Sequence, residues 1–393
     1  MRLHDSRFER RSQSSANWLG WTFAFLLAML IGGGYLLVQI RLGNLGLRRS
    51  NTLAATALPS ATPTRSLEDF ARQAEEAIAR GDYRAAIRHY ESLGRRRPND
   101  PDPYWRAARL MVFIGNAPKA EQHVRRALSA SPGHIPSRAV QCMAVEWQGR
   151  VEEAIELCQS VVDDAPDYAP AHAYLAEAYA SAGNFQAARI HAQRAMELDS
   201  NHPDVVRNMG YVFEMMGRNE TAISYYRQVL ERWPNMPHVM LALGRLYFAT
   251  GQSAQAVRTL QQLTETDPEN ADAYHQLGVI FQTLGEFGQA RMALDRAIEI
   301  NGQHVRALAQ RGSLNFQTRN YFGSVEDYTR AISASQVTGV AVKPIDYVNL
   351  GFAYRWIQDC TRAQEAWNIA LALAPTDEMV QRYVRIGYNQ CAQ

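Results

Sequence analysis

Lysine is nearly absent from this 393-residue chain: Lys119 and Lys343 are the only two among its 41 basic residues. The scarcity reads as coding-sequence composition and carries no functional meaning. A large basic field is missing as well. Residues 1–66 hold eight arginines against two acids, whereas residues 67–393 hold 33 basic and 37 acidic side chains. Nucleic-acid binding rests on Lys and Arg clustered along one face, so no nucleic-acid partner is expected. Catalytic signatures are lacking too. There is no G-x-S-x-G, no G-x-x-x-x-G-K, no H-E-x-x-H and no C-x-x-C. The ten histidines are scattered, and His134, His202 and His304 recur at one repeat position, too far apart to share a metal. No stretch is left over for a catalytic domain. The expectation is a protein without enzymatic activity, cofactor or metal.

What the chain has is a period. A block of 34 residues recurs eight times without insertion from Leu67 to Thr338, and once more after the five residues Gly339–Lys343. One column of small residues runs Ala74, Ala108, Cys142, Ala176, Gly210, Gly244, Gly278, Gly312 and Gly351. A second runs Ala86, Ala120, Ala154, Ala188, Ala222, Ala256, Ala290, Ser324 and Ala363. Two helices approach closely only where both present small side chains, so these columns mark where the paired helices of a unit cross. Between them stands a glycine, from Gly81 to Gly285, whose freedom at positive φ ends the first helix. Most units close with a proline, such as Pro98, Pro132 and Pro268, which cannot continue the second helix. A unit this short cannot bury its apolar face alone and must stack on its neighbours.

Period, small columns, turn glycine and closing proline together resemble the tetratricopeptide-repeat family over residues 67–377. The resemblance implies an all-α, right-handed solenoid of nine helix-turn-helix repeats, interrupted by the insertion at 339–343. A cap helix follows at 378–393, about Glu378 to Cys391, with Val380, Val384 and Tyr388 inward and a solvating outer face. The eighth unit fits least well: Arg311 and Asn315 occupy core positions and Arg319 stands where the glycine belongs. A bend or hinge is expected between it and the ninth.

Ahead of the repeats lie a tail (1–17), a run without charge (18–40) and a Ser/Thr/Ala/Pro-rich spacer (41–66). About 20 apolar residues span a bilayer. Arg41 follows the run and no cleavage site is evident, so a retained transmembrane helix is expected rather than a signal peptide. Trp18, Trp21 and Tyr35 sit near its ends as interfacial aromatics. Gly20, Ala24, Ala28 and Gly32 recur every fourth residue, either as a homodimer contact or as the small residues common in anchors. Arg2, Arg7, Arg10 and Arg11 precede the run and Arg41, Arg48 and Arg49 follow it, a slight bias toward a cytoplasmic N-terminus. The four cysteines fall into two geometrically sensible pairs in this fold, Cys142 with Cys158 and Cys360 with Cys391. Bridges there would place the repeats outside the cytoplasm; the alternative is that Cys142 and Cys158 are small buried residues.

The resemblance also implies that first helices line a concave groove for an extended peptide or a partner helix. Side chains pointing away from the core stripe are Trp105, Arg109, Val112 and Phe113 in unit two, then Met143, Glu146 and Trp147 in unit three. Units five to seven add Arg207, Tyr211, Arg245 and His275. Such a groove reads as aromatic toward the N-terminal end and mildly basic in the middle. Aromatics and Arg dominate interface energetics, although large residues such as Phe113 and Trp147 also pack between units. The expected function is a single-pass membrane scaffold that binds a partner protein in this groove. The alternatives are a cytoplasm-facing adaptor and an envelope glycan assembly factor that stacks sugars on Trp105 and Trp147.

Overall fold

The computed structural model describes residues 66–392. The tail, the charge-free run and nearly all of the spacer therefore lie outside the described residues. Among those described, no helix is long and apolar enough to cross a membrane and no strand occurs.

Nineteen helices follow one another as nine pairs and a single last helix. The first four pairs are α1 (Leu67–Ala79) with α2 (Tyr83–Arg96), α3 (Asp102–Phe113) with α4 (Ala117–Ala130), α5 (Ile135–Glu146) with α6 (Val151–Asp164), and α7 (Ala169–Ser181) with α8 (Phe185–Leu198). Next come α9 (Pro203–Met215) with α10 (Asn219–Arg232), α11 (Pro237–Ala249) with α12 (Ser253–Thr266), and α13 (Ala271–Thr283) with α14 (Phe287–Ile300). The chain ends with α15 (Val305–Gln317) and α16 (Tyr321–Thr338), α17 (Pro344–Trp356) and α18 (Cys360–Leu373), and α19 (Glu378–Cys391).

The helices of each pair are separated by three residues, four in unit three, and in units one, two, four, eight and nine the last of them serves both helices. In the first unit Gly81, at φ 80°, donates to the Ile78 carbonyl, and Asp82 donates to that of Ala77, which caps the orphan carbonyls of α1. The Asp82 side chain then accepts from the Ala85 amide and caps the start of α2. Asn116, Asn184, Asn320 and Asp359 repeat that N-cap in their own units.

The first small column has a sharper logic than closeness alone. From unit two onward each member faces the residue sixteen positions later, and the two volumes are complementary; Ala74 of unit one, sixteen residues before the bulky Tyr90, is the exception. A methyl on Gly210, Gly244, Gly278 or Gly312 would meet Tyr226, Leu260, Leu294 or Tyr328, at 2.8, 2.7, 2.6 and 3.1 Å respectively. Where the second helix carries the smaller Val124 or Ala192, the first helix carries Ala108 or Ala176, all essentially fully buried. The same position in unit three pairs Cys142 with Cys158 as a disulfide, Cα–Cα 5.3 Å. In unit nine Gly351 lies against Trp367, which is fully buried and donates from Nε1 to the Val348 carbonyl at 3.1 Å. Gly387 lets α19 close over the other side of that ring, and Cys391 is bridged to Cys360, Cα–Cα 5.7 Å. Val380 and Val384 face inward, but the outer face of α19 is not purely polar: Met379, Tyr383 and Ile386 are exposed on it.

The eighth unit replaces apolar packing by a buried polar set. Arg311 donates to both carboxylate oxygens of Asp327 at 2.8 and 2.6 Å, and to Asp295 at 2.7 Å; Asn315 donates to Asp327 at 2.9 Å. The insertion is absorbed mainly as helix, because α16 has 18 residues where α14 has 14. Val342 and Leu350 belong to the same apolar cluster as Tyr328, so buried packing continues through the junction where a bend or hinge was expected. Arg319, at φ 63°, and Gln358 of unit nine, at φ 64°, occupy the left-handed position that glycine fills in units one to seven.

Two opposite outcomes follow for thermal or urea unfolding. Gly278→Ala should destabilise by about 1–3 kcal/mol, since Leu294 has nowhere to go. Arg319→Gly should stabilise by about 0.5–1 kcal/mol, the strain of a side chain at positive φ less the entropy glycine loses on folding.

Candidate functional site

The inside of the coil is formed by the first helices, and its first six units close on themselves. Asn235 Nδ2 donates to the Ala79 carbonyl at 2.9 Å, and Arg84 Nη2 donates to the Glu269 carbonyl at 3.1 Å. The Arg84 Nε also lies 3.3 Å from the Glu269 carboxylate and 3.5 Å from that of Asp267. The turn of unit one thus rests on the ends of units five and six. Gly81 is pressed against Asn235 and Thr266 with no room for a side chain.

Within the closed turn, Arg109 of α3 donates from Nε and Nη2 to the two oxygens of Asp204 of α9, at 2.6 and 2.5 Å. The Tyr174 hydroxyl donates to the same carboxylate, which is fully buried. Burial alone would raise the Asp204 carboxyl, but the Arg109 guanidinium outweighs it and holds the group well below the usual carboxylate range. Beside this pair Phe113 stacks on His238, centroids 3.9 Å apart and planes 4° from parallel. Both His238 ring nitrogens are buried without a hydrogen-bond partner. Burial, followed by repulsion from Arg207, pushes that imidazole well below its ordinary range and keeps it neutral.

Two cavities flank this plug. The larger, about 950 Å³, has Phe113, Trp147, Arg207, Tyr211, His238 and Arg245 among its walls and reaches Asn301 and His304. Its charged groups are mostly paired: Arg207 with Glu177 at 2.9 and 2.5 Å, and Arg245 with Glu214 at 2.6 Å. Trp147 Nε1 donates to Glu177 at 3.0 Å, and the Ser181 and Tyr211 hydroxyls lie 3.0 Å apart. The smaller cavity, about 480 Å³, is ringed by Tyr83, Tyr90, Trp105, Tyr168, Tyr174 and Trp233, with Arg106, Arg109 and Arg232 between them.

Among the residues read from the sequence as groove surface, Trp147, Arg207, Tyr211 and Arg245 share the larger cavity, while Trp105 and Arg109 lie on the smaller one. Phe113, 5 % exposed, reaches the larger cavity but is mostly consumed by the stack on His238. Met143, together with Val112, is a correction: at 1 % and 0 % exposure they are core, packed among buried residues of neighbouring units. His275 is a second. It is buried beside His304, ring centroids 5.3 Å apart, and burial pushes it down to about 3. The mild basicity expected of the groove is cancelled by Glu177, Asp204 and Glu214, which the sequence reading left out. A signal for them existed. Adjacent first helices meet at a spacing of 30 or 31 residues, one unit less a helical turn, as in Glu177–Arg207, Tyr174–Asp204 and Glu214–Arg245. The Arg109–Asp204 link, 95 residues apart, has no such signal.

Removing Arg109 should expose the structural character of this plug. Arg109→Met leaves a carboxylate buried without its cation and is expected to cost about 3–5 kcal/mol in chemical denaturation, whereas Arg109→Met with Asp204→Leu should recover most of it. Equal losses for the single and double variants would contradict the pairing.

The sequence profile described as tetratricopeptide repeat matches residues 77–141, 148–208 and 215–278, and a second profile of the same description matches 271–304. Over 93 residues the chain is 34% identical to the TPR repeat-containing thioredoxin TTL4 of Arabidopsis thaliana, spanning 24% of this chain and 14% of that protein. The fold is similar to a chain of the APC/C hetero-tetramer Cut9-Hcn1, with TM-score 0.64 and 14% identity over 77% of this chain and 59% of that one. It is also similar to human IFIT1, in a structure of the dimer with PPP-AAAA, with TM-score 0.53 and 15% identity over 79% of this chain and 83% of that one. At these identities the two structures speak to the fold alone.

Proposed function

Because this chain belongs to the tetratricopeptide-repeat family, whose solenoids generally serve as protein-interaction scaffolds, we propose that it is a membrane-tethered scaffold whose larger internal cavity holds an extended segment of a partner protein. The observation that carries this reading is the cavity itself. At about 950 Å³ it lies at the upper end of the roughly 300–1,000 Å³ of ligand clefts, and it joins aromatic faces to charged groups on several successive units. Stacked units that offer one residue each suit a ligand that is itself extended. Tethering is supported by the charge-free run at 18–40 and the Ser/Thr/Ala/Pro-rich composition of the residues after it. An extracytoplasmic position for the repeats, with the N-terminus in the cytoplasm, is supported by two cysteine pairs within bridging geometry.

A photo-crosslinking residue at Trp147 or Tyr211, in the full chain in intact membranes, should capture a defined partner peptide that the same residue at the outward-facing Phe287 does not. Capture from Phe287 but not from the cavity would overturn the assignment. Non-reducing peptide maps with thiols blocked before lysis should recover Cys360 joined to Cys391. Recovery of both as alkylated thiols would move the repeats to the cytoplasm and favour an adaptor that faces it.

A further inference from the structure

We propose that the larger cavity seats its partner segment by a basic side chain, a lysine ammonium or an arginine guanidinium, placed on Glu146 between α5, α7 and α9. This rests on the reading of the cavity as a peptide site and adds the chemistry of the residue it selects.

Every other strongly buried charge inside the coil has its counter-charge. Asp204 has Arg109, Glu177 has Arg207 and Asp327 has Arg311. Glu146 is different. It lies on the cavity wall at 8 % exposure and accepts one hydrogen bond, from the Ser181 hydroxyl at 2.6 Å. Among the described residues no cation lies within ion-pair distance of it. The charged groups that face it are Glu177 of α7, which repels, and Arg207 of α9, whose guanidinium is already committed to Glu177; Tyr211, pushed up to about 12, is neutral. An unpaired carboxylate in such a place is costly, and the group responds by holding its proton up to about 7, by burial first and by Glu177 second. One positive charge arriving from the cavity completes the set.

Two further observations point to a peptide as the carrier of that charge. The Arg207 Nε–H, on a side chain only 6% exposed, and both His238 ring nitrogens have no partner and belong to residues on the same wall, where backbone carbonyls and amides would satisfy them. Trp147 and Tyr211 line the cavity beside Glu146 and offer ring faces to an alkyl stem or a guanidinium. The rim favours the same sign, since Glu214, Glu269, Asp272 and Glu299 stand there against Arg84, Arg245 and Arg296.

The test is calorimetric titration of the full chain in detergent with capped pentapeptides Ala-Ala-X-Ala-Ala. Peptides with X as Lys or Arg should bind at least tenfold more tightly than those with X as Ala or Glu. Affinity should rise between pH 6 and pH 8, as the Glu146 carboxyl gives up its proton. Glu146→Gln should remove the preference and the pH dependence together. The variant must also be folded. Because the native carboxyl binds its proton more tightly than the unfolded one, wild type loses stability as pH rises from the ordinary glutamate range toward 7. Glu146→Gln should therefore melt higher than wild type at pH 8 and level with it below pH 4. Equal binding of the Ala and Lys peptides would overturn the proposal, as would n-butylamine binding as tightly as the Lys peptide. Crosslinking at Trp147 to a partner segment without Lys or Arg would overturn it while leaving the cavity as a peptide site.

Discussion

A carboxylate at the centre of the coil cannot stay ionised without a cation, and Arg109 is the cation that Asp204 has. Their bond spans 95 residues and ties the second unit to the fifth. Stacked repeats ordinarily hold together through neighbours alone, so that stability is a sum of local interfaces. Here a charge pair also links units that are not neighbours, inside the closed turn of the first six. With unit two drawn in, Phe113 meets His238, unit one reaches Asn235 and Glu269, and the interior divides into an aromatic cavity and a larger charged one. A buried pair of this kind adds little net stability over an apolar substitute. Its geometry is strict, and losing one partner is severe.

Local packing follows a different rule. Along the first small column from unit two onward the volume absent from one helix is present sixteen residues later on the other: glycine opposite Tyr, Leu or Trp, alanine opposite Val or Ala, cysteine opposite cysteine. The column is therefore one member of a matched pair, and close approach is its result. Interiors packed this tightly tolerate few changes in volume. The eighth unit keeps the rule through Gly312 and Tyr328, yet substitutes the Arg311–Asp327–Asn315 set for apolar contacts nearby. Those donors and acceptors satisfy one another, which is the condition for a polar set to sit in a core.

The functional reading rests on the contrast between satisfied and unsatisfied groups. Most arginines that line the interior are spoken for, Arg106, Arg207 and Arg245 by acids one unit away, Arg84 and Arg109 by acids farther along the chain and Arg296 by Glu299 of its own helix, so they shape the walls and are not free to bind. Glu146 is the buried charge without a counter-charge on the larger cavity, and the Nε of Arg84, the Nε of Arg207 and both His238 ring nitrogens are buried there without a hydrogen bond. Chemistry left open toward a space is the part of a scaffold that a partner can answer.

The sequence by itself determined the repeat, its boundaries, the turn chemistry and both cysteine pairings as geometric options, because each depends on neighbours a fixed number of residues apart. It also placed Trp147, Arg207, Tyr211 and Arg245 on the inner face, since helical phase decides that. Spacings of 30 and 31 residues would have shown their acidic partners as well, had the first helices been compared with one another. Met143 and Phe113 share that phase and still became interior, and Arg109 became a structural cation. Only the tertiary structure decided those. Closure of the coil sums small rotations over six units, and no local spacing encodes the sum, so which residues meet 95 or 185 positions apart is set by the accumulated curvature.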